Sequence, residues 1–351
     1  MIHIYAEDTE KRRDRREDQF RMQNFVKRLA RRSRSAIIIY KIFDNRRLKK
    51  RIESGDIETI HGSTHLNQSV TDSFAYIEKQ FANYINYAGL SGDDLKDKRI
   101  LELGPGDNLG VALKFLAAGA ASVICLDRFY SKRNSAHEHE IYKALRETLS
   151  AEEKVRFDEA VRLVDSVEFN PEKLQTIYGA TLETFAANVA GDEKFDLILS
   201  CAVLEEIYDL DPTFAAMDEL LARGGRLIHI IDLSDYGMFR NQGMHPLTFL
   251  TISEAVYKRM ASDSGLPNRR RLGYYLEKMK QLGYQSKLFI TSVLPGGRLE
   301  PAAEYAPGKF KSDASRRMIS AVRNRLASEF KNLDEEELLI DGVLLVARKP
   351  L

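Results

Sequence analysis

The chain of 351 residues has two cysteines, Cys125 and Cys201, which excludes a disulfide framework and makes a reducing cytoplasm the expected compartment. Its first twenty residues are too charged for a secretory signal, and no apolar run is long enough to span a bilayer. There is neither an internal repeat nor a low-complexity linker. Net charge is also scarce, at +1, but it is unevenly spread. The segment from Lys11 to Arg51 holds 17 Lys or Arg against 4 Asp or Glu, so the remainder is acidic. With 44% hydrophobic residues the chain can build a substantial core. The expected division is a basic helical extension over 1–60 and one large domain over 61–351.

The most informative segment is LELGPGDNLG, Leu101 to Gly110. An apolar strand interrupted only by Glu102 runs into Gly104 and Gly106, which turn sharply and leave bare backbone facing a ligand. Asp107 and Asn108 then stand where a helix start needs caps. A dinucleotide loop offers helix N-terminal amides to a pyrophosphate and avoids fixed negative charge. Here Glu102 and Asp107 flank the glycines, so the loop suits a cation. A nicotinamide oxidoreductase is disfavoured on that ground. About twenty residues on, the run Ala121 to Leu126 ends in Asp127, at the spacing of a carboxylate that takes ribose hydroxyls. A third strand is expected near Thr176 to Tyr178. A fourth, Phe195 to Leu199, leaves through Ser200, Cys201 and Ala202 and is followed by Leu204 and Glu205; a fifth, Gly225 to Ile231, closes at Asp232.

Taken together these segments resemble the motifs of class I S-adenosylmethionine-dependent methyltransferases, over about Tyr76 to Ile231. The resemblance implies an α/β, Rossmann-like seven-stranded sheet, mostly parallel, with an antiparallel last strand, and S-adenosyl-L-methionine as cofactor. It implies cofactor contacts from Glu102, Gly104, Pro105, Gly106, Asp107, Asp127, Arg128, Thr181, Leu182, Ser200, Cys201 and Ala202. The family often carries His after the leucine-glutamate pair; this chain has Glu206. The asparagine- or aspartate-proline-proline-aromatic signature of nucleobase amino methylation and the proline-cysteine of cytosine-carbon enzymes are both absent at the fourth strand.

Three residues are candidates for contacting or activating the acceptor: Asp232 at the end of the fifth strand, His245 in a turn, and His65 ahead of a helix read over Val70 to Gly89. For Asp232 the competing role is capping the following turn. His229 reads as a buried, hydrogen-bonded histidine. Arg269 to Arg271 read either as an anion clamp at the pocket mouth or as a solvated helix start. His137 and His139 diverge on a helix and do not suggest a metal. Helical insertions are expected over about 131–175, split near Ser150, over 232–283, and over 295–334. Gln285 to Val293 and Glu337 to Arg348 read as the closing strands, the last with a bulge at Asp341-Gly342.

The acceptor class is a small molecule, glycan or lipid-linked intermediate, methylated on oxygen or nitrogen. RNA methylation through the basic arm and a non-catalytic cofactor-binding subunit are the alternatives. In the arm, Met22, Phe25, Val26 and Leu29 recur at helical spacing, and Ser35 to Phe43 is mostly apolar. Peripheral contact with the inner membrane surface, nucleic-acid binding, and packing on the domain or on a second subunit as a homodimer all fit it.

Overall fold

The computed structural model describes residues 33–59, 64–164, 166–189, 191 and 193–351; the expectations resting on Met22, Phe25, Val26 and Leu29 lie outside them. At its centre is one eight-stranded sheet. Its strands are β1 (Arg99–Leu103), β2 (Ser122–Asp127), β3 (Leu174–Tyr178), β4 (Phe195–Cys201), β5 (Leu221–Asp232), β6 (Gln285–Val293), β7 (Gly297–Glu304) and β8 (Ile340–Arg348). They lie in the order β7-β6-β8-β5-β4-β1-β2-β3. Strands β1 to β5 pair parallel, and β8 runs antiparallel to both β5 and β6. Without β7 this is the strand order of the class I methyltransferase fold, and the chain has that fold.

The eighth strand corrects the expectation of seven. The segment beginning at Pro295, read as a helical insertion, first folds back on β6 as a hairpin whose second arm is β7. Pro301 is tolerated there because an edge strand does not need every amide. Helix follows only at Asp313–Ser320. The insertion after β2 does hold two helices, Ser135–Glu147 and Ala151–Ala160, parted at Ser150, whose side chain and Glu153 form a reciprocal cap. The bulge near Asp341-Gly342 is present as a register shift against β6.

Two apolar layers cover the sheet. On one face lie α2 (Val70–Ala88), α3 (Gly110–Ala117) and the two helices after β2, burying residues such as Ile77, Tyr84, Phe115 and Tyr142. The other carries α4 (Leu182–Asn188), α5 (Leu210–Leu220) and α6 (Leu272–Gln281), burying Phe185, Phe214, Met217 and Tyr275. A third cluster, built on Phe239, Phe249, Tyr257 and Leu338, sits beyond the carboxyl end of β5. Against it packs α1 (Arg34–Glu53), whose Ile37 is buried there. The apolar stretch Ser35 to Phe43 is therefore part of a helix docked on the domain. Asn45 anchors it to α7 (Glu254–Ala261), donating to the Arg259 carbonyl (3.1 Å) and Ser262 Oγ (3.0 Å) and accepting from the Asp263 amide (2.8 Å). No described helix is long and apolar enough to cross a membrane.

Candidate active site

At the carboxyl ends of β1, β2 and β4 opens a cavity of about 1170 Å³, large enough for a nucleoside cofactor with an acceptor beside it. Its floor is the glycine loop. Gly104 and Gly106 adopt φ of 64° and 70°, which a side chain disfavours, and a Cβ at Gly104 would run into Val203 Cγ2. Glu102 reaches the cavity from β1 yet is only 7% exposed. Its bonded partner is the Cys125 thiol, at 3.5 Å. Burial pushes the Glu102 carboxyl up to about 7, offset only in part by the Cys125 thiol and by the charge of Arg133, whose own guanidinium is bonded to Tyr178 and faces Glu138.

Asp127 lines the cavity beside the loop. Its carboxylate accepts from the amides of Phe129 (2.9 Å) and Gly106, while burial raises it to about 6. Pro105, Arg128, Thr181, Leu182, Cys201 and Ala202 also line the cavity. Thr181 caps α4, and Ala202 takes φ of 55° at the exit of β4. Arg128 lies 3.8 Å from Asp263. Burial pushes the Cys201 thiol up to about 12, and it accepts from Gln80 Nε2 at 3.1 Å. It is a neutral wall of the site.

Asp107 is also in the cavity wall, but its carboxylate is occupied by the backbone amides of His65 (3.0 Å) and Leu66 (2.8 Å). It latches the segment before α2 onto the glycine loop, leaving Glu102 as the loop's uncommitted acid. This latch brings His65 to the cavity, where its ring stands edge-on to Tyr76 and burial lowers its basicity.

Three expected site residues lie elsewhere. Ser200 is fully buried with its hydroxyl on His229 Nδ1 at 2.8 Å; alternation along β4 turns it into the sheet's face while Cys201 reaches the cavity. Burial lowers His229 to about 3, so it is the neutral core histidine expected. Asp232 caps the turn after β5 through the Ser234 amide (2.8 Å) and does not line the cavity. His245 spends both ring nitrogens on backbone, accepting from the Leu247 amide (3.1 Å) and facing the Met318 carbonyl (3.0 Å). It fastens a turn.

The arginine run divides. Arg269 is buried against the Tyr257 and Phe330 rings and pairs with Glu254 and Glu329. Arg271 is buried on the carbonyls of Leu233, Glu337, Leu338 and Ile340. Both hold backbone together and neither is a clamp or a solvated start. Arg270 alone lines the cavity, over the Tyr274 ring.

What sequence reasoning passed over is Glu206. It lines the cavity one helical turn past β4, and burial raises its carboxyl to about 7. Its neighbour Glu205 is buried, takes the Asp232 amide (2.8 Å) and the Tyr236 hydroxyl (3.0 Å), and is raised to about 8. Asn268 holds this segment from below, donating to the carbonyls of Leu204 and Ile207, each at 2.8 Å. Tyr208 and Tyr236 complete this end of the cavity. The signal was the replacement of the family's usual His by another titratable residue.

No family model matches the sequence, and no curated protein matches it. Among solved structures, phosphoethanolamine N-methyltransferase 2 of Haemonchus contortus, in complex with S-adenosyl-L-methionine, is similar at 13% identity and a TM-score of 0.39. That likeness covers 78% of this chain and 53% of that one, so the chain spans about half the length of that enzyme. An S-adenosylmethionine-dependent methyltransferase from Mesorhizobium loti is similar at 16% identity and a TM-score of 0.37, over 78% of this chain and all of that one. A putative one from Listeria monocytogenes is similar at 16% and 0.35, over 78% and 99%. Likeness at this level assigns neither activity nor acceptor to this chain; that assignment rests on the site.

Proposed function

We propose that this chain is an S-adenosyl-L-methionine-dependent methyltransferase acting on an oxygen or nitrogen atom of a small molecule, glycan or lipid-linked acceptor. The observation that carries the reading is Glu102: a carboxyl buried at the base of a bare-backbone loop, raised to about 7 by burial despite the charge of Arg133 and with no cation bonded to it among the described residues. A positively charged cofactor supplies that cation, whereas a pyrophosphate would be repelled. Asp127, at the end of the neighbouring strand, accepts ribose hydroxyls, with its position set by the Gly106 and Phe129 amides. Pro105, Gly106, Thr181 and Leu182 shape the nucleoside bed, and Cys201 and Ala202 the wall beside the reacting end. When bound, the cofactor supplies an electrophilic methyl group on sulfonium.

The chain's part is to align an acceptor with that methyl group, a contribution of about 7–11 kcal/mol when reactants are well oriented, and to take the acceptor's proton. Glu206 is the group we assign to that proton. Its carboxyl lies in the cavity, on a segment pinned by Asn268, and at about 7 it is partly ionised near neutrality. Tyr208, Tyr236 and Arg270 bound the acceptor's side, and His65 stands by the cofactor loop. Calorimetry with S-adenosylhomocysteine and with a nicotinamide dinucleotide tests the reading. Binding of the first and none of the second is expected; the reverse overturns it.

A further inference from the structure

The inward face of α1, with Ile37, Ile42 and Asn45, is committed to the third cluster and to α7. Its outward face has no such commitment among the described residues. Ile39, Tyr40 and Phe43 stand 55%, 63% and 63% exposed, and Arg46, Arg47 and Lys50 continue the same stripe at helical spacing. Arg46, Arg47, Lys49 and Lys50 are exposed and pair with no carboxylate among the described residues. The helix carries seven Lys or Arg against Asp44 and Glu53. Packed beside it, α7 adds exposed Lys258 and Arg259, while its Glu254 is taken by Arg269.

We propose that this face of α1 docks on an anionic lipid surface, with Ile39, Tyr40 and Phe43 at the boundary of headgroups and acyl chains and the cations at the headgroups. The two halves of the stripe decide the occupant. A nucleic-acid backbone satisfies the cations but leaves Ile39 in water, whereas an anionic bilayer satisfies both halves at once. Each cation near such a surface strengthens binding about fivefold. Lys41, Asp44 and Leu48 of the same helix line the cavity, so the docked helix holds the cavity's rim beside the lipid.

The test is sedimentation of the full chain, without cofactor or acceptor, with vesicles of phosphatidylcholine containing phosphatidylglycerol and with vesicles of phosphatidylcholine alone. Binding to the first only, weakened by salt, is expected. Replacing Arg46, Arg47 and Lys50 together by Ser weakens it about 100-fold. The triple variant Ile39→Ser, Tyr40→Ser, Phe43→Ser weakens it at least about tenfold with an unchanged thermal midpoint. Equal binding to both vesicles, or to neither, overturns the proposal. So does retention of binding by both variants, a lowered midpoint in the apolar variant, which would mean that protein already covers the face, or RNA bound through these residues with no vesicle binding. No turnover is read, so the outcome is independent of the methyl-transfer reading.

Discussion

Three carboxyls in the cavity are raised by the same cause, and for two of them the proposed ends differ. Asp127 and Glu206 both lose hydration on burial, and their values of about 6 and about 7 follow. Asp127→Ala is expected to weaken S-adenosylhomocysteine binding by about 1–3 kcal/mol, as hydroxyls lose their buried acceptor; calorimetry reads it directly. Glu206→Gln is expected to leave that affinity in place and to lower kcat by about 10² to 10⁴. The wild-type rate should rise with pH through about 7 as Glu206 ionises, a limb the variant lacks; a variant that keeps it removes Glu206 from proton transfer. Gly104, Glu102 and Asp127 were legible in the sequence because spacing after a strand end is a local property. Asp232, His245 and Ser200 were not, because a side chain's direction and its bonding partner come from distant segments such as Met318 and His229.

Among the elements, α1 behaves as a docked part of the domain. The Asn45 amide makes three bonds across to the end of α7, in a site where Asn45 is almost fully buried. Asn45→Ala leaves a carbonyl, a hydroxyl and an amide short of partners, each costing about 1–3 kcal/mol when buried. Faster hydrogen exchange across Arg34–Glu53, with exchange in β1 and β4 unchanged, is the expected result. The helices over 70–88, 135–147 and 151–160 were readable from apolar stripes and caps, since capping and amphipathicity are written within a few residues. The strand Gly297–Glu304 was not. Its composition is polar and broken by Pro301, and only pairing with β6 makes it extended.

For the whole molecule, burying carboxyls makes stability depend on pH. Glu102, Glu205 and Glu206 sit at about 7, 8 and 7 when folded, against an ordinary 4.5. Where the unfolded chain has released these protons and the folded chain keeps them, unfolding is favoured. The stability that these three groups contribute is therefore full below about pH 4 and declines as pH rises toward 8, while the buried, neutral His229 acts in the opposite sense below its ordinary 6.5. Above about pH 6.5, where His229 is neutral both folded and unfolded, thermal midpoints of the cofactor-free protein should fall as pH rises to 8. Glu102→Gln should flatten the fall, by up to about 3 kcal/mol for a shift of this size, and an unaltered slope would show that Glu102 is not buried as described. The sequence alone determined where the first five strands of the sheet lie along the chain, the glycine loop with its acid, and the uneven charge, because these depend on neighbours along the chain. The tertiary structure alone decided which acids line the cavity, which arginines are buried as backbone ties, and which face of α1 the other described residues leave open. Those outcomes depend on desolvation and on partners far away in sequence, and no local pattern encodes either.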